Sequence, residues 1–255
     1  VFFRPESKKQ LIDFLNEVAK NNNEIKILGA GSNTLVRDSG VKGIVIKLSS
    51  KFSDIKLLDE DTIEVGAAAL DKKVSNFAKD NNIEKMEFLS CIPGSIGGAI
   101  VMNSGCYGYD ISEILESVEI IDDKGNEKKI QKEEIKFFYR GTNLPKNIII
   151  ISAKLKGNIS SKKLIEEKQN ELIKRKKLSQ PSQIKTCGST FKNNKNKKAW
   201  ELIKDSGCDK FFVGDAKISE KHCNFFINNG KATAANIEAL INNVREAVYN
   251  KTGIN

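Results

Sequence analysis

The chain has 255 residues, 39% of them hydrophobic, and 42 basic against 33 acidic side chains, a formal net charge of +9. No apolar run approaches the roughly 20 residues that cross a bilayer, and the first residues lack a secretory signal's pattern, so a soluble, cytoplasmic protein is expected. The basic excess suits nucleic acid or phosphate-bearing small molecules. Its lysines, among them Lys8, Lys9, Lys72, Lys73, Lys128 and Lys129, are scattered with no aromatic-rich stripe, which favours the small molecule over nucleic acid. Cys91, Cys106, Cys187, Cys208 and Cys223 are far apart and His222 is the single histidine. That spacing predicts reduced thiols, with no zinc site and no disulfide framework.

In chain order, Leu11, Phe14, Leu15 and Val18 stand at helical spacing within Lys8 to Asn21. Ile25 to Leu28 reads as a short buried strand and Gly43 to Leu48 as another. Ile55 to Leu58 and Thr62 to Val65 flank an acidic turn, a hairpin signal. Leu70, Val74, Phe77 and Ala78 restore the 3.6-residue period. Ile92 to Gly108 is too rich in glycine for a regular element interior and is expected to be a functional loop. Val118 to Ile121 and Glu127 to Ile130, joined by Asp123-Lys124-Gly125-Asn126, predict a second hairpin, and Ile148 to Leu155 a further strand. Ser160 or Ser161 can cap a charged helix ending near Leu178, before Pro181, and Thr233 caps a last helix. The composition changes near Gly157, where the main boundary is expected. Both ends of the chain look trimmed.

Gly29-Ala30-Gly31-Ser32-Asn33-Thr34 resembles the start of a dinucleotide fingerprint, since glycines let backbone amides approach a pyrophosphate. It lacks the third glycine and the following helix, so loop amides and the Ser32 and Asn33 side chains would have to hold the phosphate; an ordinary turn has the same composition. Ile92-Pro93-Gly94-Ser95-Ile96-Gly97-Gly98-Ala99, with Asn103-Ser104-Gly105 after it, is more specific: bare backbone flanked by apolar residues can press on a flat ligand. Tyr139-Arg140 could be a snorkelling surface pair, and Ser189 a turn residue. No Gly-x-Ser-x-Gly elbow surrounds Ser189, which speaks against serine hydrolysis. His222 reads as a hydrogen-bonded structural residue.

Taken in order, GAGSN (Gly29 to Asn33), IPGSIGG (Ile92 to Gly98), YR (Tyr139-Arg140), KRK then QP (Lys174 to Pro181), GSTFKN (Gly188 to Asn193), AWELI (Ala199 to Ile203) and VGDAKISEKHCNFFIN (Val213 to Asn228) resemble the UDP-N-acetylenolpyruvoylglucosamine reductase family over essentially the whole chain. The lack of a long insertion after Arg140 matches the shorter of that family's two structural types. The resemblance implies an α+β fold. A two-lobed FAD-binding domain of the vanillyl-alcohol-oxidase type would span residues 1–156, its lobes about 1–50 and 51–156, with an α+β substrate-binding domain over 157–255. It also implies NADPH-dependent, FAD-mediated reduction of a UDP-sugar enolpyruvyl ether, by a monomer.

By position, the resemblance assigns FAD contacts to Gly29, Ala30, Gly31, Ser32, Asn33, Thr34, Gly94, Ser95, Gly97, Gly98, Ala99, Asn103 and Gly105. It gives Arg140 the stabilisation of the enolate and Ser189 the donation of the proton, with substrate contacts at Tyr139, Arg175, Lys192 and Asn193 and no metal ligand. Asn194, Cys106 and Cys187 depart from the family pattern. The family's third catalytic group, a glutamate beyond the last helix, would fall past Asn255, and loss of that segment is expected to impair turnover severely. The open alternatives are another flavoenzyme of the vanillyl-alcohol class, sharing only the glycine loops, and a basic RNA-binding protein.

Overall fold

The computed structural model describes residues 1–19, 24–182 and 184–255. They form two compact units, one of residues 1–31 and 42–174, the other of 32–41 and 175–255.

In the first unit, helix α1 (Lys8–Ala19) buries Leu11, Leu15 and Val18 on one face, as their spacing predicts. The expected last residues, Lys20 and Asn21, lie outside the described residues. The helix covers a parallel sheet of β1 (Phe2–Phe3), β2 (Ile25–Ile27) and β3 (Ile44–Ile46), with β3 in the middle. The expectation of a buried strand at Ile25 needs correction. As an edge strand β2 is half-buried at Ile25 and exposed at Lys26 and Ile27.

A second, antiparallel sheet contains β4 (Ile55–Leu57), β5 (Thr62–Gly66), β6 (Leu115–Ile121), β7 (Glu127–Gln131) and β8 (Ile149–Lys156), in the order β7-β6-β8-β5-β4. Alternation along β8 explains its isoleucine run. Ile149 and Ile151 enter the core with Leu11, Leu15 and Ile46, whereas Ile148 and Ile150 enter the larger core with Ile63, Val65, Phe88 and Ile100. At β8 the sheet is therefore apolar on both faces.

Helix α2 (Asp71–Asp80) follows β5 and buries Val74, Ser75 and Ala78. The stretch expected to be a loop from Ile92 contains a short helix, α3 (Ile96–Val101). Two glycines disguise it, because Ile96, Ala99 and Ile100, the residues it buries, carry the helical period across them. Helix α4 (Lys162–Ser179) begins where expected, the Ser161 hydroxyl accepting from the Leu164 amide at 3.3 Å. Its buried residues are Ile165, Gln169 and Leu172. Gln169 donates to Ser75 at 2.9 Å and to Asn76 at 3.1 Å. These contacts keep most of α4 with the first unit, and the compact division falls after Lys174.

The second unit has an antiparallel sheet of β9 (Lys185–Ser189), β10 (Phe212–Val213), β11 (Ala216–Ser219) and β12 (His222–Asn228), ordered β9-β12-β11-β10. Helices α5 (Ala199–Asp205) and α6 (Ala234–Thr252) enclose its core of Leu202, Ile203, Phe226, Leu240 and Val244. Thr233 caps α6 as expected, accepting from the Asn236 amide at 3.1 Å, and left-handed Gly253 ends it. Residues 32–41 join this unit through Asp38, whose carboxylate accepts from the Ala234 and Ala235 amides at 2.9 and 3.0 Å. Those bonds hold the Asp38 carboxyl below its ordinary range. Arg37 pairs with Glu238 at 2.9 Å on the same helix. No helix among the described residues is long and apolar enough to cross a membrane.

Candidate active site

The first unit brings its two glycine segments together. A Cβ on Gly29 would lie 3.0 Å from the Ser95 hydroxyl oxygen and 3.9 Å from the Gly98 Cα. Gly31, two residues on, has φ +78°, which only glycine adopts easily. The second segment is stitched to the chain between β5 and α2. Ile96 and Gly97 donate to the carbonyls of Ala69 and Ala67 at 3.0 and 2.9 Å, and Asp71 donates to that of Gly94 at 3.1 Å. A Cβ on Gly97 would meet the Ala67 Cβ at 3.1 Å, yet one on Gly98 would meet only the Ser95 oxygen, at 3.9 Å. Gly97 therefore serves the packing, whereas Gly98 and the nearby Gly31 and Ala30 present exposed backbone.

Asp71 lies beneath this segment. It is fully buried, and neither carboxylate oxygen has a hydrogen-bond partner among the described residues. Burial pushes its carboxyl up to about 8; the nearby Gly94 amide draws it down without completing a hydrogen bond. Sequence reading missed it because an acid in a helix's first turn is ordinary.

After α3 the chain turns through Asn103 and Gly105. Asn103 is buried and left-handed at φ +39°. Its amide donates to Asp110 at 3.2 Å, and its side-chain oxygen accepts from the Ser112 amide at 3.1 Å. Tyr139 and Arg140 form the tip of a hairpin between Phe137–Phe138 and Gly141–Thr142. Arg140 is left-handed, φ +59°, a strained conformation for a non-glycine residue. Its guanidinium donates to the Gly105 carbonyl at 2.8 Å and to the Asn103 carbonyl at 3.5 Å, and lies 5.0 Å from the Tyr139 ring centre. Leu70, Val101, Met102, Phe138 and Tyr139 are exposed apolar side chains along these same segments. Bare glycine backbone beside an apolar surface fits a flavin nucleotide, which needs close amide approach at its phosphates and apolar contact at its rings.

In the second unit Ser189 ends β9. The pairing with β12 runs Thr186 opposite Ile227 and then Ser189 opposite Phe225, so β9 carries one extra residue. This bulge contains left-handed Gly188, φ +83°, and a bulge re-aims the side chains beside it. The Thr186 hydroxyl donates to the Phe226 carbonyl at 2.7 Å and accepts from the Gly188 amide at 3.3 Å. Ser189 is exposed. Thr34 shares this neighbourhood, its carbonyl accepting from the Cys187 thiol at 3.5 Å. Burial raises the Cys187 thiol above its ordinary range.

The substrate candidates are more dispersed. Arg175 is exposed on α4 and Lys192 is exposed beyond Ser189. The Asn193 side-chain oxygen accepts from the first amide of α5, that of Ala199, at 3.0 Å. His222 is half-buried, its ring edge-on to Phe225 and Trp200, its Nδ1 accepting from the Asn224 amide at 3.3 Å. Burial lowers its pKa, which suits a structural residue. Among the described residues no cluster of His, Cys, Asp and Glu could hold a metal.

The family described as FAD binding domain matches residues 1–131, and that described as UDP-N-acetylenolpyruvoylglucosamine reductase, C-terminal domain, matches residues 180–255. The UDP-N-acetylenolpyruvoylglucosamine reductase of Pelagibacter ubique (strain HTCC1062) is 45% identical over 100% of this chain and 85% of its own length. That of Rickettsia bellii (strain RML369-C) is 42% identical over 100% and 84%. The crystal structure of UDP-N-acetylenolpyruvylglucosamine reductase (MurB) from Thermus caldophilus superposes with a TM-score of 0.86 at 32% identity, covering 96% of this chain and 87% of that one. With both glycine segments, the Arg140 hairpin and the Ser189 strand in place, the chain belongs to the UDP-N-acetylenolpyruvoylglucosamine reductase family, FAD-binding oxidoreductases of peptidoglycan synthesis.

Proposed function

We propose that the chain reduces UDP-N-acetylglucosamine enolpyruvate to UDP-N-acetylmuramate with NADPH as hydride donor, acting as a cytoplasmic monomer that engages neither nucleic acid nor membrane. Residues 1–156 serve FAD and residues 157–255 the sugar nucleotide. The FAD contacts come from Gly29 to Thr34, Gly94 to Ala99, Asn103 and Gly105; Tyr139, Arg175, Lys192 and Asn193 bind substrate. Bound FAD supplies the two-electron chemistry, accepting hydride from a nicotinamide and yielding it to an electron-poor alkene.

The observation that carries this reading is the anchoring of Arg140 on the carbonyls of Asn103 and Gly105, the turn directly after the glycine-bearing helix. Hydride addition to the methylene carbon leaves an electron pair on the adjoining carbon, spread into its carboxylate. Arg140 is a cation already fixed before that charge develops, the arrangement that costs least reorganisation. Ser189 gives its hydroxyl proton to the carbon, closing the new C–H bond, and recovers a proton from water. The balance is one NADPH, one proton and the enolpyruvyl ether giving NADP+ and the lactyl ether. A serine is a weak acid, so its placement has to compensate.

Anaerobic stopped-flow measurement of flavin colour separates the half-reactions. NADPH should bleach the flavin of the purified protein, and the enolpyruvyl sugar nucleotide should restore it. Ser189→Ala should keep the first step and lose the second. Flavin that stays reduced in the unaltered protein after substrate is added sinks the proposal in favour of another flavoenzyme of the vanillyl-alcohol class.

A further inference from the structure

The two residues after Ser189 are held by one residue, Thr190 by its backbone carbonyl and Phe191 by its side chain. Asn224, in the middle of β12, is only 3% exposed. Its Nδ2 donates to the Phe191 carbonyl at 2.8 Å and its Oδ1 accepts from the Phe191 amide at 2.9 Å. Its own carbonyl accepts from the Thr190 amide at 2.8 Å. The β9–β12 ladder stops at Ser189 opposite Phe225. Beyond that point a carboxamide, chemically a peptide group, takes the place of a neighbouring strand's N–H and C=O. Upstream, the Thr186 bonds fix the other side of the bulge. Ser189 therefore stands exposed on a short piece of backbone pinned at both ends.

We infer that Asn224 is a positioning residue for proton delivery: by clamping both polar groups of the Phe191 backbone it sets the place of the Ser189 hydroxyl and the face of the carbanion that receives the proton. The inference rests on the proton-donor role given to Ser189 above. Position decides the rate here because a weak acid transfers efficiently only from close, aligned contact, and a 1 Å misplacement can cost about 10²-fold. Only an amide fulfils the task. An aspartate would set an anionic acceptor against the Phe191 carbonyl and lose the donor.

The test compares Asn224→Asp and Ser189→Ala with the unaltered holoenzyme, with rates expressed per bound flavin. Asn224→Asp should slow reoxidation by the enolpyruvyl substrate about 10²-fold and leave NADPH-driven reduction near its original rate. In D2O the unaltered enzyme should place deuterium on one face of the lactyl carbon, and Asn224→Asp on both. The double variant should be no slower than Ser189→Ala, since residues acting through one group are not additive. If Asn224→Asp does not retain flavin, Asn224→Gln, which keeps the amide one methylene further out, carries the same measurements. Equal slowing of both half-reactions, or a double variant slower than Ser189→Ala, overturns the inference in favour of a purely structural role. Asn224→Asp that reoxidises normally while Ser189→Ala does not overturns it alone. Normal reoxidation in Ser189→Ala instead removes the proton-donor assignment on which it stands.

Discussion

Asp71 and Gly94 are so close that a Cβ on Gly94 would lie 2.5 Å from Asp71 Oδ2. The acid is fully buried beneath the segment that Gly94 begins. Burial raises its carboxyl to about 8 in the fold, against about 4 in an unfolded chain. The fold thus retains a proton that the unfolded chain releases, so this contribution to stability is complete below about pH 4 and declines as pH rises to about 8. Its slope is about 1.4 kcal/mol per pH unit in mid-window. Asp71→Asn, a neutral isostere, should be more stable than the parent at pH 7 and should lack that slope. Urea titrations across the window check it; parallel stability curves for the two proteins would contradict the assignment.

Gly97 and Gly98 are adjacent in α3 and should respond oppositely to alanine. At Gly97 the new methyl meets the Ala67 Cβ at 3.1 Å and its carbonyl oxygen at 3.3 Å, and overpacking of this kind costs about 1–3 kcal/mol. At Gly98 the protein leaves room, and replacing a helical glycine by alanine gains about 0.5–1 kcal/mol. Gly98→Ala should therefore melt no lower than the parent and still bind FAD more weakly, because the methyl enters the surface offered to the ligand. Melting of the FAD-free proteins and flavin titration test the pair. A Gly98→Ala protein with undiminished FAD affinity would place the flavin elsewhere.

Arg140 combines a left-handed backbone with a guanidinium bound to two carbonyls. Arg140→Lys removes the forked donor set. It should lower the rate of substrate-driven reoxidation by about 10²–10³-fold and spare NADPH-driven reduction. Arg140→Gly should lose the same step yet relieve the left-handed strain, so its melting temperature should fall little. Stopped-flow kinetics with calorimetry decides; a glycine variant that reoxidises normally would end Arg140's role as the fixed cation.

The start of α6 is satisfied twice, by Thr233 and by Asp38. Thr233→Ala should cost about 1 kcal/mol. The depressed Asp38 carboxyl contributes stability above the unfolded pKa of about 4 that is lost on acidification below it. Asp38→Ala should be destabilised at pH 7 and approach the parent as pH falls through that range. Denaturation at neutral and acid pH measures this, and an equal deficit at both would deny the carboxylate its part.

The sequence reading was most successful where the signal is periodic. Leu11, Leu15 and Val18, or Thr233 followed by Leu240, Val244 and Val248, declare α1 and α6 without knowledge of any partner. The sheet of the second unit gave no such signal. β9 is short, contains Gly188 and is bulged, and its partner β12 lies far along the chain, so pairing supplies the order that local preference does not. α3 was hidden by two glycines whose missing side chains serve contact and not flexibility. Asp71 and Asn224 show the deeper limit. A carboxyl with no hydrogen-bond partner among the described residues and an amide clamped on a distant backbone look like any surface Asp or Asn until the fold encloses them. The motifs mark the segments proposed for the site; the supports beneath those segments needed three dimensions.

The second compact unit is discontinuous in the chain, because Ser32–Val41 belongs to it although it emerges from synthesis long before α6. Asp38 must wait for amides made nearly two hundred residues later, a nonlocal closure of the kind that slows folding. A fragment starting at Arg175 would thus lack an integral piece of its own structure, and no single proteolytic cut can release this half intact. Dissecting the enzyme would require carrying that short ribbon along with the C-terminal portion.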